Sequence, residues 1–390
     1  MRTAFLFFLL AAASAAQTIA VLGETVYTMA GAPVKNGVVL IRDGKIERIG
    51  TMATPAGYRE LRAKVVTPGL IDAHATVGLT GYLNQPHDQD QVERSATVQP
   101  ELRAIDAYDA RERLVEWVRG FGVTAMHTGH GPGILVSGQT MIVKTRGNTA
   151  EEAAIVKEAM VAATLGSGAR ESGARSPGTR AKAIAMLRSE FIKAQEYTAK
   201  KEKARDLRTE TFARILRGEL PLLVTVHRAN DILSAIRLGK EFGIKLVLDG
   251  VAEAPLVMDE IKASGYPVIV HPTMYRSGGD TENISFETAS KLKAAGVPFA
   301  LQTGFEGYVP KVRVLLFEAG VAAAHGLKFE DALASVTIDA ARLLGIANRV
   351  GSLEAGKDAD VAMYDGDPFE YATHCTGVII DGVVVSTEAR

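Results

Sequence analysis

Cysteine is almost absent from this chain of 390 residues, because Cys375 is the only one. A single cysteine has no intrachain partner, so a scaffold held together by disulfides is excluded. Net charge is equally scarce, since 44 lysines and arginines stand against 45 aspartates and glutamates, which leaves −1 at pH 7. That balance provides no broad basic field and argues against a nucleic-acid binder. The one tryptophan, Trp117, gives little support to a polysaccharide-directed enzyme.

Long apolar runs are confined to the start of the chain. A basic residue, Arg2, precedes an apolar run over 4–13, and small residues continue to Ala16 before Gln17. This order is typical of a secretory signal peptide over 1–16, cleaved close to Gln17, and the alternative is a buried N-terminal helix. No later stretch reaches about 18 apolar residues without charges, so the sequence predicts no membrane anchor. We expect a periplasmic or secreted protein.

Both ends of the mature chain predict β-strands. The stretch 18–64 is rich in β-branched residues around an Asp43-Gly44 turn, and 360–385 repeats the pattern around Asp381-Gly382. Each end alone is too short to bury a core. We therefore predict a composite β-sandwich domain of residues 17–66 plus 354–390, with residues 67–353 forming a separate unit.

The middle of the chain alternates predicted helices with apolar strands. Amphipathic stretches end at Gly122, Gly243, Gly265 and Gly296, and an apolar run rich in β-formers follows each glycine almost at once. Glycine tolerates the left-handed conformation that ends a helix. Apolar strands between helices predict a parallel sheet covered on its outside. This α/β pattern favours a (β/α)8 barrel over 67–353, with an open doubly wound sheet as the alternative.

A basic, glycine-rich loop over 167–182 interrupts this alternation, and a long charged helix follows it. One hypothesis is a lid whose arginines hold an anionic substrate. The other is a solvated insertion, because runs of charge usually face water.

Two motifs at opposite ends of the mature chain carry a family resemblance. The stretch 66–74 (VTPGLIDAH) closely resembles the first barrel strand of the amidohydrolase superfamily, and 351–360 (GSLEAGKDAD) resembles its return into a small β-domain. Residues 100–106 and 227–232 are similar to motifs of the imidazolonepropionase-related periplasmic branch. The resemblance implies a hydrolase that activates water on one or two divalent metals. Its substrates would be small molecules with C–N bonds, such as amides, lactams or dipeptides.

The family's metal ligands are mostly replaced in this sequence. The resemblance implies ligands from a His-x-His motif on strand one and from histidines on strands five and six, with an aspartate on strand eight as general base. Those positions hold His74, Thr76, Thr225, Gly250 and Gly304. Threonine is a poor zinc ligand and glycine cannot accept a proton. We therefore expect a degenerate metal site, in which Thr76→His with Gly304→Asp restores a ligand and the base.

Histidines nevertheless cluster at predicted strand ends, which form the catalytic face of this architecture. One hypothesis is a single relocated metal held by His74 and His227, with His127 or His271 as the third ligand. The alternative is that these histidines, with His130, are polar lining residues.

Lys144, at the end of a predicted strand, corresponds in kind to the carboxylated lysine that bridges two metals in some superfamily members. The alternative is an ordinary lysine with a buried stem.

Two functions follow from these observations. The first is a divergent hydrolase of C–N bonds with one divalent metal such as zinc. The second is a non-catalytic binding or scaffold protein without metal.

Overall fold

The structure, a computed structural model, describes residues 18–83, 85–170, 177–202, 204–304 and 314–390. The predicted signal peptide and its cleavage site lie outside these residues, as do residues 171–176 of the basic loop. The strands are Ile19–Val26 (β1), Val34–Arg42 (β2), Lys45–Gly50 (β3), Arg59–Pro68 (β4), Leu70–Ala75 (β5), Val123–Gly129 (β6), Val136–Lys144 (β7), Ala154–Val156 (β8), Val161–Thr164 (β9), Leu222–Val226 (β10), Leu246–Gly250 (β11), Val268–Val270 (β12), Phe299–Ala300 (β13), Val361–Tyr364 (β14), Cys375–Ile380 (β15) and Val383–Ser386 (β16). The helices are Arg113–Gly120 (α1), Ala150–Ala153 (α2), Arg180–Ala199 (α3), Leu207–Leu216 (α4), Ala229–Phe242 (α5), Met258–Ser264 (α6), Thr288–Ala295 (α7), Leu315–Ala324 (α8), Phe329–Ser335 (α9) and Ile338–Leu343 (α10).

Both ends of the chain contribute strands to one sheet. Its order is β16-β15-β14-β4-β1-β2-β3, so the C-terminal strands lie beside the N-terminal ones. The two predicted turns are present, because Asp43, Gly44, Asp381 and Gly382 all have φ between 50° and 76°. Two consecutive positive φ angles are what the tight type I′ hairpin requires. The prediction of a small β-domain built from both termini is confirmed.

Eight of the described strands form a nearly closed barrel in the order β5-β6-β7-β9-β10-β11-β12-β13. The last strand returns to the first, because the Ala73 N–H donates to the Leu301 carbonyl at 3.2 Å and Ala75 is bridged to Gly304. The predicted barrel is therefore confirmed, and the open sheet is wrong. Within the described residues, no helix is long and apolar enough to cross a membrane.

Three of the predicted glycine stops end barrel helices as expected. Gly243, Gly265 and Gly296 follow α5, α6 and α7 with φ of 65°, 72° and 74°. Each lies in the left-handed region, where a side chain would be strained. This local signal explains why alternation of helices and strands could be predicted from the sequence.

One barrel strand departs from the predicted all-parallel arrangement. β7 runs antiparallel to both of its barrel neighbours, β6 and β9. A short loop, residues 130–135, returns the chain directly from the end of β6 into β7, and antiparallel neighbours need no helical crossover. Consequently Lys144, at the end of β7, lies beside Ala125 near the start of β6, at the barrel end remote from the C-terminal strand ends.

The barrel interior changes from apolar to polar along its axis. Leu223 and Val247 belong to an apolar cluster inside the barrel. Side chains two residues apart on a strand share a face, so Thr225 and Asp249 follow them on the inward face towards the C-terminal ends. We call this end of the barrel the mouth.

Candidate functional site

A cavity of about 40 Å³ lies at the mouth. All five positions that the family uses for its ligands and general base line this cavity: His74, Thr76, Thr225, Gly250 and Gly304. The structure therefore brings together the residues that the sequence resemblance singled out. Among them, Thr225 forms a hydrogen-bonded network with Asp249 and Gln302, which also line the cavity.

Asp249 is the centre of that network. It is buried, and its two carboxylate oxygens accept hydrogen bonds of 2.6 Å from Thr225 Oγ1 and 2.6 Å from Gln302 Nε2. The Gln302 amide also donates to the Val270 carbonyl at 3.0 Å, which fixes its orientation. Burial would raise the pKa of Asp249, but the neighbouring His74 and the two donors outweigh it and hold that pKa below its usual value.

His74 lies beside Asp249 in the lining of the cavity. Its Nδ1 lies 3.3 Å from Asp249 Oδ2, an ion-pair distance, and neither ring nitrogen has a hydrogen-bond partner among the described residues. Burial favours the neutral imidazole, but the Asp249 and Asp72 carboxylates outweigh burial and raise the pKa of His74. A carboxylate on one ring nitrogen orients the imidazole and leaves the other nitrogen for a ligand or a proton.

Asp72 lies on β5, the same strand as His74, and hydrogen-bonds to its backbone. Its carboxylate accepts from the Thr303 N–H at 3.1 Å, from Thr303 Oγ1 at 2.5 Å and from the His74 N–H at 3.2 Å. Burial nevertheless dominates and raises the pKa of Asp72 to about 6. These bonds join the first and last barrel strands at the mouth.

Side chains from neighbouring loops take the space next to the two glycines. A Cβ added to Gly250 would lie 2.5 Å from His227 Cε1, and one added to Gly304 would lie 2.7 Å from Pro272 Cγ. Both glycines also have positive φ, of 89° and 66°. His227 therefore occupies the volume of a strand-six side chain, and Pro272 that of the strand-eight aspartate.

Two other predicted ligands, His127 and His271, have both ring nitrogens hydrogen-bonded elsewhere. His127 lies within β6, where its Nδ1 donates to the Ala73 carbonyl at 2.8 Å and its Nε2 lies 2.6 Å from Thr140 Oγ1. His271 donates through Nδ1 to the Pro272 carbonyl at 2.9 Å, and its Nε2 lies 3.1 Å from Thr288 Oγ1. Burial lowers the pKa of His127 to about 3 and that of His271 to about 4.

His130 and Lys144 do not join the network. His130 is buried against Gly138, with no hydrogen-bond partner for either ring nitrogen among the described residues. The Lys144 ammonium lies at the opposite end of the barrel, within 2.6 Å of Asp360, 3.1 Å of Asp381 and 3.2 Å of Asp358. Its surroundings are those of a structural ion cluster between the barrel and the terminal sheet.

The residues at the mouth do not fit a metal centre as they stand. Over the described ranges, no three or more His, Cys, Asp and Glu side chains are grouped so as to hold an ion. The Asp249 oxygens already accept from Thr225 and Gln302. Gly250 and Gly304 supply no donor, and a threonine hydroxyl is not among the usual zinc ligands.

Asp249, Gln302 and Asp72 are functional candidates that the sequence reasoning missed. All three are buried polar side chains on or just after mostly apolar strands, which is the signal that could have singled them out. They were overlooked because the family pattern directs attention to the neighbouring positions, Gly250 and Gly304.

Comparison with known proteins agrees with this fold. A model of the amidohydrolase family matches residues 228–387. A crystal structure of an amidohydrolase from Thermotoga maritima superposes with a TM-score of 0.90 at 28% identity, covering 95% of this chain and 100% of that one. The family match and the Thermotoga maritima structure support the amidohydrolase superfamily that the two end motifs predict. The family and its members indicate a hydrolase, and superfamily hydrolases typically use a metal.

Two curated superfamily relatives differ in how much of their length is matched. An imidazolonepropionase from Brucella anthropi is 26% identical over 89% of this chain and 91% of its own. The amidohydrolase tasK from Hapsidospora irregularis is 22% identical over 89% of this chain but only 39% of its own length. This chain therefore spans well under half of that relative and nearly all of the bacterial one.

Proposed function

We propose that this superfamily member hydrolyses a C–N bond in a small amide, lactam or dipeptide outside the cytoplasm, using His74 and Asp249 in place of the usual metal centre. The observation that carries the proposal is the His74–Asp249 pair, fixed by Thr225 and Gln302 where the family positions converge. The substrate class follows from the family and the curated imidazolonepropionase relatives. Export rests on the predicted signal peptide.

The proposed chemistry is a water attack assisted by an oriented imidazole. Neutral His74 takes a proton from water as the water oxygen bonds to the carbonyl carbon, and Asp249 stabilises the imidazolium that results. His74 then returns the proton to the leaving nitrogen as the C–N bond breaks. Thr76 Oγ1 accepts from Thr80 Oγ1 at 2.9 Å, so its own hydroxyl proton is available to the substrate's carbonyl oxygen.

A non-catalytic binding protein is the second candidate, and one observation favours it. Position 304, where the family has its general base, is a glycine whose side-chain space is taken by Pro272. The same cavity would then recognise a small molecule without turnover.

The two candidates are separated by assaying amine release from N-acyl amino acids, lactams and dipeptides, with and without a chelator. We expect turnover that a chelator leaves unchanged, and that His74→Ala reduces by about 10²–10⁴, the usual contribution of an acid–base group. His87→Ala is the matched control, because His87 is exposed.

Activity that the chelator abolishes and zinc restores would contradict the metal-independent mechanism. Saturable binding of a panel member without turnover would support the second candidate instead.

A further inference from the structure

The cavity at the mouth is far smaller than any substrate the fold accommodates. A volume of about 40 Å³ holds no more than a few water molecules, each of which needs about 10–15 Å³ of such space. A lactam ring or a dipeptide does not fit. The mouth must therefore widen before such a molecule can bind, and contacts between the loops beside it show what resists that widening.

The first contact is an ion-pair cluster around Arg180. Its guanidinium binds the buried Asp231 at 2.9 Å and reaches Asp280 at 3.7 Å. Asp280 also accepts from the Ser167 N–H at 2.5 Å. The cluster joins the loops that follow β9 and β12 to the start of α5. Arg180 of the basic loop is thus paired with acids of the protein itself.

A second cluster surrounds Arg228. Its guanidinium lies 3.3 Å from the buried Glu253 and pairs with Glu282. Glu253 in turn accepts from Asn283 Nδ2 at 2.7 Å and from the Ala229 N–H at 2.7 Å. The cluster joins the loops that follow β10, β11 and β12.

Both clusters hold the same segment. Residues 275–283, which we call the strap, contribute Asp280 to the first cluster and Glu282 and Asn283 to the second. At its start, Tyr275 lines the cavity itself. The strap therefore runs from the lining of the cavity to the two ion-pair clusters.

We propose that the strap is an ionic gate: it closes the mouth over His74 and His227 through the Arg180–Asp280 and Arg228–Glu282 pairs, and it must move for a substrate-sized molecule to reach them. The proposal does not depend on how, or whether, the site turns substrate over. Both pairs are partly exposed, with Asp280 and Glu282 side chains 19% and 55% accessible. Pairs of this kind contribute little each and are screened by salt, so the gate can open without unfolding the barrel.

The probe is diethyl pyrocarbonate, an uncharged reagent that acylates neutral histidine and is too large for the closed cavity. Acylation of His74 and His227 is followed by peptide mass spectrometry at pH 7.5 in the full chain. The exposed His87 and His374 provide the unrestricted rate within the same sample. His127, which is fully buried inside the barrel, reports global unfolding.

The test variant is the double substitution Asp280→Asn with Glu282→Gln. It removes both negative charges of the strap and keeps the Arg180–Asp231 and Arg228–Glu253 pairs, so no buried acid loses its partner. We expect His74 to react about three- to tenfold faster than in the wild type, the range expected for losing two exposed pairs. Glu241→Gln is the matched control, because it breaks the exposed Arg188–Glu241 pair elsewhere.

Salt provides an independent measurement on the unaltered protein. Raising sodium chloride from 0.05 to about 1 M shortens the Debye length to about 3 Å. It should accelerate acylation of His74 in the wild type but not in the double variant. Wild-type His74 reacting as fast as His87, or equal rates in wild type and double variant with no salt effect, would overturn the gate. If His127 also becomes reactive in the double variant, the wild-type salt series alone decides.

Discussion

At the scale of single residues, side chains from other parts of the barrel fill the space beside the two glycines of the mouth. His227 and Pro272 occupy the space beside the two glycines, and Gln302 and Thr225 satisfy Asp249. The positions that the sequence resemblance singled out lie together at the mouth. The resemblance could not show what fills them, because the occupants come from other loops and a short motif carries no information about contacts across the barrel.

We therefore expect that the protein cannot accommodate the family's aspartate at position 304 without a loss of stability. Gly304→Asp places a Cβ 2.7 Å from Pro272 Cγ at a φ of 66°, so the substitution should destabilise the protein by about 1–3 kcal/mol. Restoring metal binding with Thr76→His and Gly304→Asp therefore requires Pro272 to move.

A double-mutant cycle measures this clash. Denaturant unfolding should show that Gly304→Asp costs less in a Pro272→Ala background than in the wild type. Equal costs in both backgrounds, or stoichiometric zinc in the Thr76→His, Gly304→Asp protein, would contradict the explanation.

Asp72 predicts an unusual pH dependence of stability. In the folded protein the pKa of Asp72 is raised to about 6 from its ordinary value of 3.8. The folded state therefore binds the proton more tightly than the unfolded state does. The resulting stabilisation is fully present below about pH 3.8 and is lost as pH rises towards 6.

Asp72→Asn should remove this dependence, because an amide can keep the bonds to Thr303 and His74 without a charge. We expect the variant to gain about 1–3 kcal/mol relative to the wild type between pH 4 and pH 7.5. Urea unfolding of both proteins at the two pH values checks it. Parallel pH profiles would show that Asp72 titrates normally in the folded protein.

At the scale of elements, β7 shows that a strand can be predicted from the sequence while its direction in the sheet cannot. Its apolar residues predict a strand, which is present, but periodicity says nothing about direction. The short return loop after β6 makes the strand antiparallel and turns Lys144 away from the mouth. There it meets Asp358 and Asp360, from the C-terminal motif, and Asp381, from the β15–β16 turn.

The ion cluster around Lys144 should stabilise the contact between barrel and terminal sheet. Lys144→Met leaves three carboxylates without their shared cation, and removing one partner of a buried cluster costs about 3–5 kcal/mol. Lys291→Met is a suitable control, since Lys291 makes only an exposed pair with Glu287. Thermal unfolding of the two variants compares them, and equal melting temperatures would contradict a structural role for Lys144.

At the scale of the whole molecule, the architecture followed from local signals. Helix-ending glycines, apolar strands and two Asp-Gly turns were sufficient to predict a barrel and a sheet built from both ends. The candidate site was predicted only as a set of positions. Ion pairs such as Arg180–Asp280 join loops at the mouth that are distant in sequence. No pattern within either loop predicts such a pair.

The central claim is that the His74–Asp249 network stands in place of the family's metal centre. The most direct measurement is the zinc content of the wild type and His74→Ala proteins, purified without chelator and analysed by elemental mass spectrometry. The account predicts much less than one zinc per chain in the wild type and no difference in the variant. One tightly bound zinc per chain, lost in His74→Ala, would contradict it and return the protein to the metal-dependent hydrolases.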